Sequence, residues 1–341
     1  MQILVTGGTG FVGSHAAEAF VAAGHRVRLL ARTPAKVAHV FDGRSLPYDD
    51  PAHVEIVQGD MTDAVSVTQA LDGCDAVLHA AAEVGVASSG PSALEGNVVG
   101  TSTVLGAAIE AGIDPILYTS TVAVFYPPRQ SELDVTSPLA EPISAYGRSK
   151  RDCELAVRAL QDVAPPITTF YIGGVYGPHQ PTLDSALKGI VAAAGQMMVV
   201  TPGGVGVLDV RDLAQLFLAA LEPDQGPRRF MAAGRFHTWR EWTDLLSDVI
   251  GRPCKEATMP KPAMTALGRA IDAAKKVKPF DYPLTYEAAL YMTSGVGGND
   301  GPTLDALGVR YRPAVDTLAD TTRWLIAAGH LPADAAPALA P

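Results

Sequence analysis

Residues Gln2 to Gly13 read QILVTGGTGFVG, and the fold follows from this stretch. Ile3, Leu4 and Val5 form a short continuous apolar run, the pattern of a parallel strand buried on both faces. Gly7, Gly10 and Gly13 come next at three-residue spacing, and the Ala-rich run Ser14 to Ala23 predicts a helix closed by Gly24. Glycines between a strand and a helix start let the backbone approach a pyrophosphate, whose charge is drawn to the unpaired N–H groups of the first turn. Thr9, Phe11 and Val12 lie within this turn and join the glycines as candidate contacts. A tight turn with no ligand would also use glycines, so the triplet gains weight only from residues further along the chain.

The whole chain bounds the answer. Its 341 residues suffice for one large domain or one and a half with a full core. Hydrophobic residues at 48% and charged ones at 18% describe a compact, soluble protein, and a formal net charge of −10 argues against general nucleic-acid binding. Cys74, Cys153 and Cys254 are scattered without metal-ligand spacing, so no metal site is expected and reduced, cytosolic cysteines are. A first strand beginning at residue 2 leaves no room for a signal peptide, and no apolar run reaches membrane-spanning length. A cytoplasmic chain is the expectation.

Along the chain, Val27 to Ala31 is the second strand, and the residues at its end bear on the cofactor. NAD sites place Asp or Glu there for the ribose 2′-hydroxyl, whereas NADP sites offer Arg to the 2′-phosphate. Arg32 and Thr33 follow here, with Lys36 one turn on and no carboxylate nearby, which favours NADP and leaves NAD possible. Residues 38 to 53 carry breakers without periodicity and read as a surface loop. Val54 to Val57 is the third strand, running into Gly59, Asp60 and Met61. Asp60 could accept from an adenine amino group with Met61 against the ring, or serve as a cap for the helix starting at Thr62 and Asp63.

The fourth strand, Ala76 to His79, opens into Ala80, Ala81 and Ala82, small enough for a ribose and nicotinamide to lie on the backbone. His79 reads as a buried strand end that satisfies backbone groups, while Glu83 stands where substrate or solvent could reach it. Ser92 to Ala111 is a long helix whose Asn97 carries a propensity cost and hence a buried hydrogen-bonding role. The fifth strand, Ile116 to Tyr118, ends in Thr119, Ser120 and Thr121. A further helix from Ser144 to about Leu160 puts Tyr146 and Lys150 on one face. A phenol with a pKa near ~10 is a poor base. A neighbouring ammonium and an oxidised nicotinamide lower it, so the tyrosine can exchange a proton with a substrate oxygen. Thr121 or Ser120 would hold that same oxygen.

With these residues in order and spacing, TGGTGFVG, GDMTD, HAAA, NVVGT, TSTVAVF and YGRSK resemble the extended short-chain dehydrogenase/reductase family over essentially the whole chain. The resemblance implies that Tyr146 is the catalytic acid/base and that Lys150 orients the ribose and lowers the tyrosine pKa. It places Thr121, rather than Ser120, on the family's hydroxyl position, and gives Asn97 the support of the lysine through water. It implies a doubly wound, Rossmann-type α/β fold with a mostly parallel sheet and a smaller C-terminal substrate lobe. The expected limits are 1–173 and 207–221 for the nucleotide domain, 174–206 and 222–330 for the lobe, and 331–341 for a loose tail.

The sixth strand, Ile167 to Ile172, departs from the family pattern. Relatives commonly end it Arg-Pro, whereas Gly173 and Gly174 precede Val175, Tyr176, Gly177 and Pro178 here, which puts the usual carboxamide contacts in doubt; Val175 remains a candidate cofactor contact. PGGVGVLDVRDLA (202–214), RRFMAAGRFHTWREW (228–242) and TLDALGVRYRP (303–313), with Trp324 beyond, resemble the dihydroflavonol reductase-like and 3-beta-hydroxysteroid dehydrogenase-like branch. Sugar-nucleotide epimerases of the family place a diphosphate-binding arginine where this chain has Val205, and valine offers no positive charge. Residues 255–278 hold six Lys/Arg against two acids. They read as a solvated amphipathic helix packed on the lobe, with a lid or a membrane-surface helix as alternatives.

The expected activity is an NADP-preferring oxidoreductase acting on a carbonyl/alcohol pair of an apolar small molecule. The alternatives are a sugar epimerase or dehydratase that retains NAD, and a nucleotide-binding sensor. By resemblance, helices near Ser92 and Tyr146 would form a homodimer.

Overall fold

Ile3, Leu4 and Val5 are fully buried, and they sit at the centre of a seven-stranded, wholly parallel sheet. The computed structural model describes residues 1–82, 91–143, 145–163, 166–278, 280, 282 and 284–339, with side chains in the helix that starts at Pro91 described from Glu95. Numbered along the chain within this sheet, the strands are β1 (Gln2–Thr6), β2 (Arg26–Ala31), β3 (Val54–Gln58), β4 (Ala76–His79), β5 (Ile116–Thr121), β6 (Ile167–Ile172) and β7 (Arg228–Ala232). Their order is β7-β6-β5-β4-β1-β2-β3, every pair parallel. Strand order therefore reverses between β1 and β4, and a crevice opens beyond their C-terminal ends.

Side-chain alternation divides β1 between two cores. Ile3 and Val5 face Ala16, Ala17 and Phe20 of helix Phe11–Ala22 and Leu213 and Phe217 of helix Val210–Ala219. Leu4 faces Val67, Val104, Leu105 and Val157 on the helices of the opposite face. Each such buried side chain contributes roughly 1.5–3 kcal/mol. The continuous apolar run thus has a physical cause: helices cover both faces.

A smaller lobe comes after β6. Gly204–Asp209 pairs parallel with Val175–Tyr176 and antiparallel with Arg235–Thr238, and Met198–Val200 pairs parallel with Glu256–Thr258. Its core gathers Tyr176, Leu187, Trp242, Leu246, Leu318 and Leu325. The lobe meets the sheet through glycine. A Cβ on Gly173 or Gly206 would overlap the carbonyl oxygen of Ala233, and one on Gly174 would lie 2.7 Å from the Gly206 oxygen. The Gly-Gly that replaces Arg-Pro is therefore a backbone crossing with no space for either side chain.

Three expectations are corrected. Arg228–Ala232, given to the lobe, is the edge strand of the main sheet, because it pairs with Ile167–Ile172 in full register. Residues 38–53 are not all surface loop: Ala35–Phe41 is a helix, and Phe41 and Leu46 are buried in the main core. The segment beyond Pro332 is not loose up to Leu339. Ala335 and Ala336 are buried in the lobe core, and the Arg252 guanidinium donates to the Ala335 carbonyl at 3.2 Å. Among the described residues, no helix is long and apolar enough to cross a membrane.

Candidate functional site

The crevice is built where β1 ends. Gly7 has φ +74° and passes so close to the end of β4 that a Cβ would stand 2.6 Å from the Ala81 nitrogen. A Cβ on Gly13 would overlap the Gly7 carbonyl oxygen, and Gly10 N–H donates to that same oxygen at 2.8 Å. Gly10 is the N-cap of helix Phe11–Ala22 and supplies no side-chain cap. The first-turn N–H groups at Phe11, Val12 and Gly13 thus face the crevice with the positive end of the helix dipole, which suits a diphosphate. Thr9 and Val12 are half-buried beside them, and the Phe11 ring meets His15 edge-on at 5.2 Å. Ala80 and Ala81 are tied back to β1, their N–H groups donating to the Thr6 carbonyl (3.2 Å) and hydroxyl (3.3 Å); Ala82 is next, half-buried.

At the far end of the crevice, Arg32 is exposed at the end of β2. Asp60 stands just after β3, and its Oδ1 accepts from the Thr62 N–H (2.9 Å) and hydroxyl (2.7 Å). The Thr62 hydrogen bonds and the Arg32 charge hold this carboxyl below the usual carboxylate range. The helix cap is Asp63, which accepts from Val65 and Ser66 N–H groups. Asp60 instead shapes the turn before it. Met61 lies in the notch left by Gly100 of helix Pro91–Glu110, where a Cβ would be 2.5 Å from its Cγ.

Beyond β4 and β5 lie the residues suited to proton transfer. Tyr146 and Lys150 stand one turn apart on helix Ala145–Asp162, with the lysine Nζ 6.0 Å from the tyrosine ring centroid. Lys150 is 7% exposed, and burial lowers its ammonium. Burial first, and then the Glu287 carboxylate, push Tyr146 up to about 12. Desolvation sets this direction in the protein by itself; the expected lowering involves a bound oxidised nicotinamide as well as Lys150.

Thr121 is half-buried and caps the short turn Val122–Phe125, its hydroxyl accepting from Ala123 N–H at 3.2 Å. Thr119 donates to the His79 carbonyl at 3.2 Å. Asn97 is 1% exposed and donates to Ser149 Oγ at 3.3 Å, which fixes the helix one residue before Lys150. Val175 is buried and paired with Leu208 beside the glycine crossing. His79 contacts two side-chain hydroxyls, Thr6 at 2.8 Å and Thr101 at 3.2 Å, where backbone partners were expected. Burial, with a smaller push from Lys150, lowers it to about 3, so it stays neutral.

Ser120 does not face the substrate side. Strand alternation turns it opposite to Thr119 and Thr121, and its hydroxyl donates to Glu154 Oε2 at 2.8 Å. The same buried carboxylate accepts from Tyr171 Oη (2.6 Å) and Arg158 Nε (2.8 Å) at Oε1. Ser120 as a substrate contact is thereby corrected. Glu83 lies outside the described residues.

The loop after β5 and the lobe together supply residues that the sequence did not reveal. Tyr126, Pro127, Ile143, Glu287, Leu290 and Tyr291 line a small cleft of about 10 Å³ near Tyr146. Tyr126 and Tyr291 stack at 4.7 Å, and the Tyr126 hydroxyl accepts from Val296 N–H at 3.3 Å. Tyr126 had a local signal, directly after TSTVAVF, whereas Glu287 and Tyr291 arrive on a helix with no motif of its own. Glu154 had one too, standing four residues after Lys150 and eight after Tyr146. Val205 is half-buried on Gly204–Asp209, opposite His237. Arg211 pairs with Asp209 (2.7 Å) and Asp320 (2.8 Å) and Arg312 with Asp212 (2.9 Å), while Arg235, on the strand beside Val205, is exposed and donates to the Tyr311 carbonyl at 3.0 Å.

Comparison with known proteins agrees with this arrangement. The sequence profile of the NAD dependent epimerase/dehydratase family matches residues 3–233. Sterol demethylase protein B of Methylococcus capsulatus is 27% identical over 95% of this chain and 98% of its own length. The 2-alkyl-3-oxoalkanoate reductase of Stenotrophomonas maltophilia is 30% identical over 74% of this chain and 77% of its own. Among solved structures, a UDP-glucose-4-epimerase from Stenotrophomonas maltophila, with bound NAD and formylated UDP-arabinopyranose, superposes with a TM-score of 0.76 at 21% identity, covering 97% of this chain and 99% of that one. At that identity the likeness concerns the fold.

Proposed function

The chain belongs to the NAD-dependent epimerase/dehydratase family, and from that premise we propose that it is an NADP-preferring oxidoreductase that interconverts a carbonyl and an alcohol on an apolar small molecule. The observation that carries this reading is the cleft beside Tyr146. It is lined by Tyr126, Pro127, Ile143, Leu290 and Tyr291, and its one charged lining residue is the acid Glu287, so the described lining offers no cation. A nucleotide sugar needs free paired cations for its diphosphate; an apolar carbonyl compound does not.

In this reading the first-turn N–H groups after Gly10 hold the cofactor diphosphate and Arg32 its 2′-phosphate. The bound nicotinamide supplies or takes the hydride. Lys150 binds the nicotinamide ribose and keeps a positive charge beside Tyr146, and Asn97 holds the lysine's helix through Ser149. A phenol held at about 12 carries its proton at neutral pH, so the protein by itself is poised for reduction. The Tyr146 proton passes to the substrate oxygen as the carbon receives hydride, while Thr121 Oγ1 holds that oxygen from a second side. Burial first, and then the Glu287 carboxylate, favour the protonated phenol. Helices Pro91–Glu110 and Ala145–Asp162 form the homodimer face in the same reading.

The test is a panel of apolar ketones and aldehydes, with UDP-sugars alongside, monitored by NADPH absorbance. Oxidation of NADPH by an apolar carbonyl compound is expected. Tyr146→Phe should slow it by roughly 10²–10⁴-fold without weakening NADPH binding. A protein that purifies with tightly held NAD and interconverts UDP-sugars without net cofactor change would overturn the proposal.

A further inference from the structure

Helix Lys261–Val277 is held to the body along one side. Of its 17 residues only Met264 and Gly268 are buried. Gly268 lies against the Thr285 carbonyl, Tyr286 and the Ala289 methyl. Asp272 accepts from the Tyr286 N–H at 2.9 Å, and Arg269 donates to the Tyr286 hydroxyl at 3.0 Å. These contacts bind it to helix Tyr286–Ser294, as the amphipathic pattern predicted.

The opposite side is apolar and open. Ala263, Ala266, Leu267, Ala270, Ala273, Ala274 and Val277 are all exposed, and they recur at the three- and four-residue steps that align one face of a helix. Leu267 is 41% exposed and Val277 88%, and Phe280 (45%) and Tyr282 (48%) continue the apolar surface beyond the helix end. Exposed cations flank it: Lys261, Arg269, Lys276 and Lys278. A chain of net charge −10 has concentrated six basic residues against two acids in 255–278.

We propose that this helix lies in the surface of an anionic bilayer, with the alanine–leucine–valine face in the acyl boundary and the exposed lysines at the headgroups. The face is made of small and aliphatic side chains, without the Trp, Tyr and Arg anchors that dominate protein–protein hot spots. A second copy would bring an identical basic flank, and like charges brought together oppose pairing. An anionic lipid surface satisfies both parts of the pattern, because long cationic side chains reach headgroups while their helix stays at the boundary.

Co-sedimentation with vesicles tests this on the full chain. Binding is expected to phosphatidylcholine vesicles containing one-third phosphatidylglycerol, not to phosphatidylcholine alone, and should fall as salt is raised. Lys276→Gln with Lys278→Gln should weaken partitioning by about thirtyfold, and Leu267→Gln with Val277→Gln should abolish it. All four side chains are exposed, so both variants should melt like the parent. No binding to anionic vesicles, or binding that neither variant changes, overturns the proposal. It is equally overturned if light scattering shows a dimer that only the Leu267/Val277 variant dissociates, since a second copy would then own the face.

Discussion

Replacing Glu154 by glutamine tests how the helix that carries Tyr146 and Lys150 is fixed to the sheet. The carboxylate is fully buried and accepts from Ser120 (2.8 Å), Tyr171 (2.6 Å) and Arg158 (2.8 Å). Glutamine keeps the shape and one acceptor oxygen. The Ser120 hydroxyl can rotate to accept from the new amide, so that contact survives. The Tyr171 and Arg158 bonds lose their charge assistance, a drop of about 1 kcal/mol each, since bonds to charged groups are worth roughly 1.5–3 kcal/mol and neutral ones roughly 0.5–1.5. Arg158 also loses its counter-ion, but its side chain is 24% exposed and water relieves part of that cost. The expected loss is about 2–3 kcal/mol, below the 3–5 kcal/mol of a fully buried pair broken on one side. Urea titration measures it, and a double-mutant cycle with Arg158→Gln should show coupling above about 1 kcal/mol. A loss under about 0.5 kcal/mol, or no coupling, would mean that the network packs without stabilising. Ser120→Ala should leave turnover intact; a fall in kcat at unchanged stability would refute the placement of Ser120 away from substrate.

Arg32→Ala should weaken NADPH by about ten- to a hundredfold, one charge-assisted bond at 1.4 kcal/mol per decade, and leave NADH unchanged in calorimetric titrations. Equal losses would assign Arg32 to the adenine. Gly13→Ala should instead weaken both cofactors alike and by at least tenfold, because the added methyl displaces the Gly7 carbonyl. The acid limb should carry the signature of His79, whose folded-state pKa of about 3 lies far below the ordinary 6.5. The unfolded chain takes up a proton that the folded one refuses, so stability is full above 6.5 and falls as pH drops towards 3. The loss from this group is about 2 kcal/mol between pH 7 and 5. Urea midpoints of a His79→Asn variant should be correspondingly flatter over that range, and parallel curves would contradict the assignment.

What the sequence revealed and what it concealed divide along the reach of the interactions. The Gly7–Gly13 turn, the helix that carries Tyr146 and Lys150, and the buried runs of β1 to β6 depend on neighbours within a few residues, and each could be read from spacing. Arg228–Ala232 could not, because its place at the sheet edge depends on pairing with β6, some sixty residues earlier. Ser120 and Thr121 are adjacent hydroxyls in the sequence, and only the pleat decides which one meets Glu154. Tyr171 meets Glu154 and Arg158 on a helix that precedes its strand, and Glu287 and Tyr291 come from the lobe; neither approach leaves a local pattern. The segment after Pro332 is small and alanine-rich, and its burial depends on the shape of the surface near Ile250 and Arg252.

The crossing of Gly173 and Gly206 against Ala233, with Gly174 against Gly206, also constrains how this architecture can diversify. Two backbones touch there with no side chain between them, so the joint works as a fixed hinge pin whose tolerance is less than a methyl group. Variation at the pin alters the angle between sheet and lobe before it alters any chemistry. A new specificity is therefore accessible mainly through the residues that line the cleft near Tyr146, such as Ile143, Glu287, Leu290 and Tyr291. The pin keeps the reacting groups in alignment while the cleft wall is rewritten.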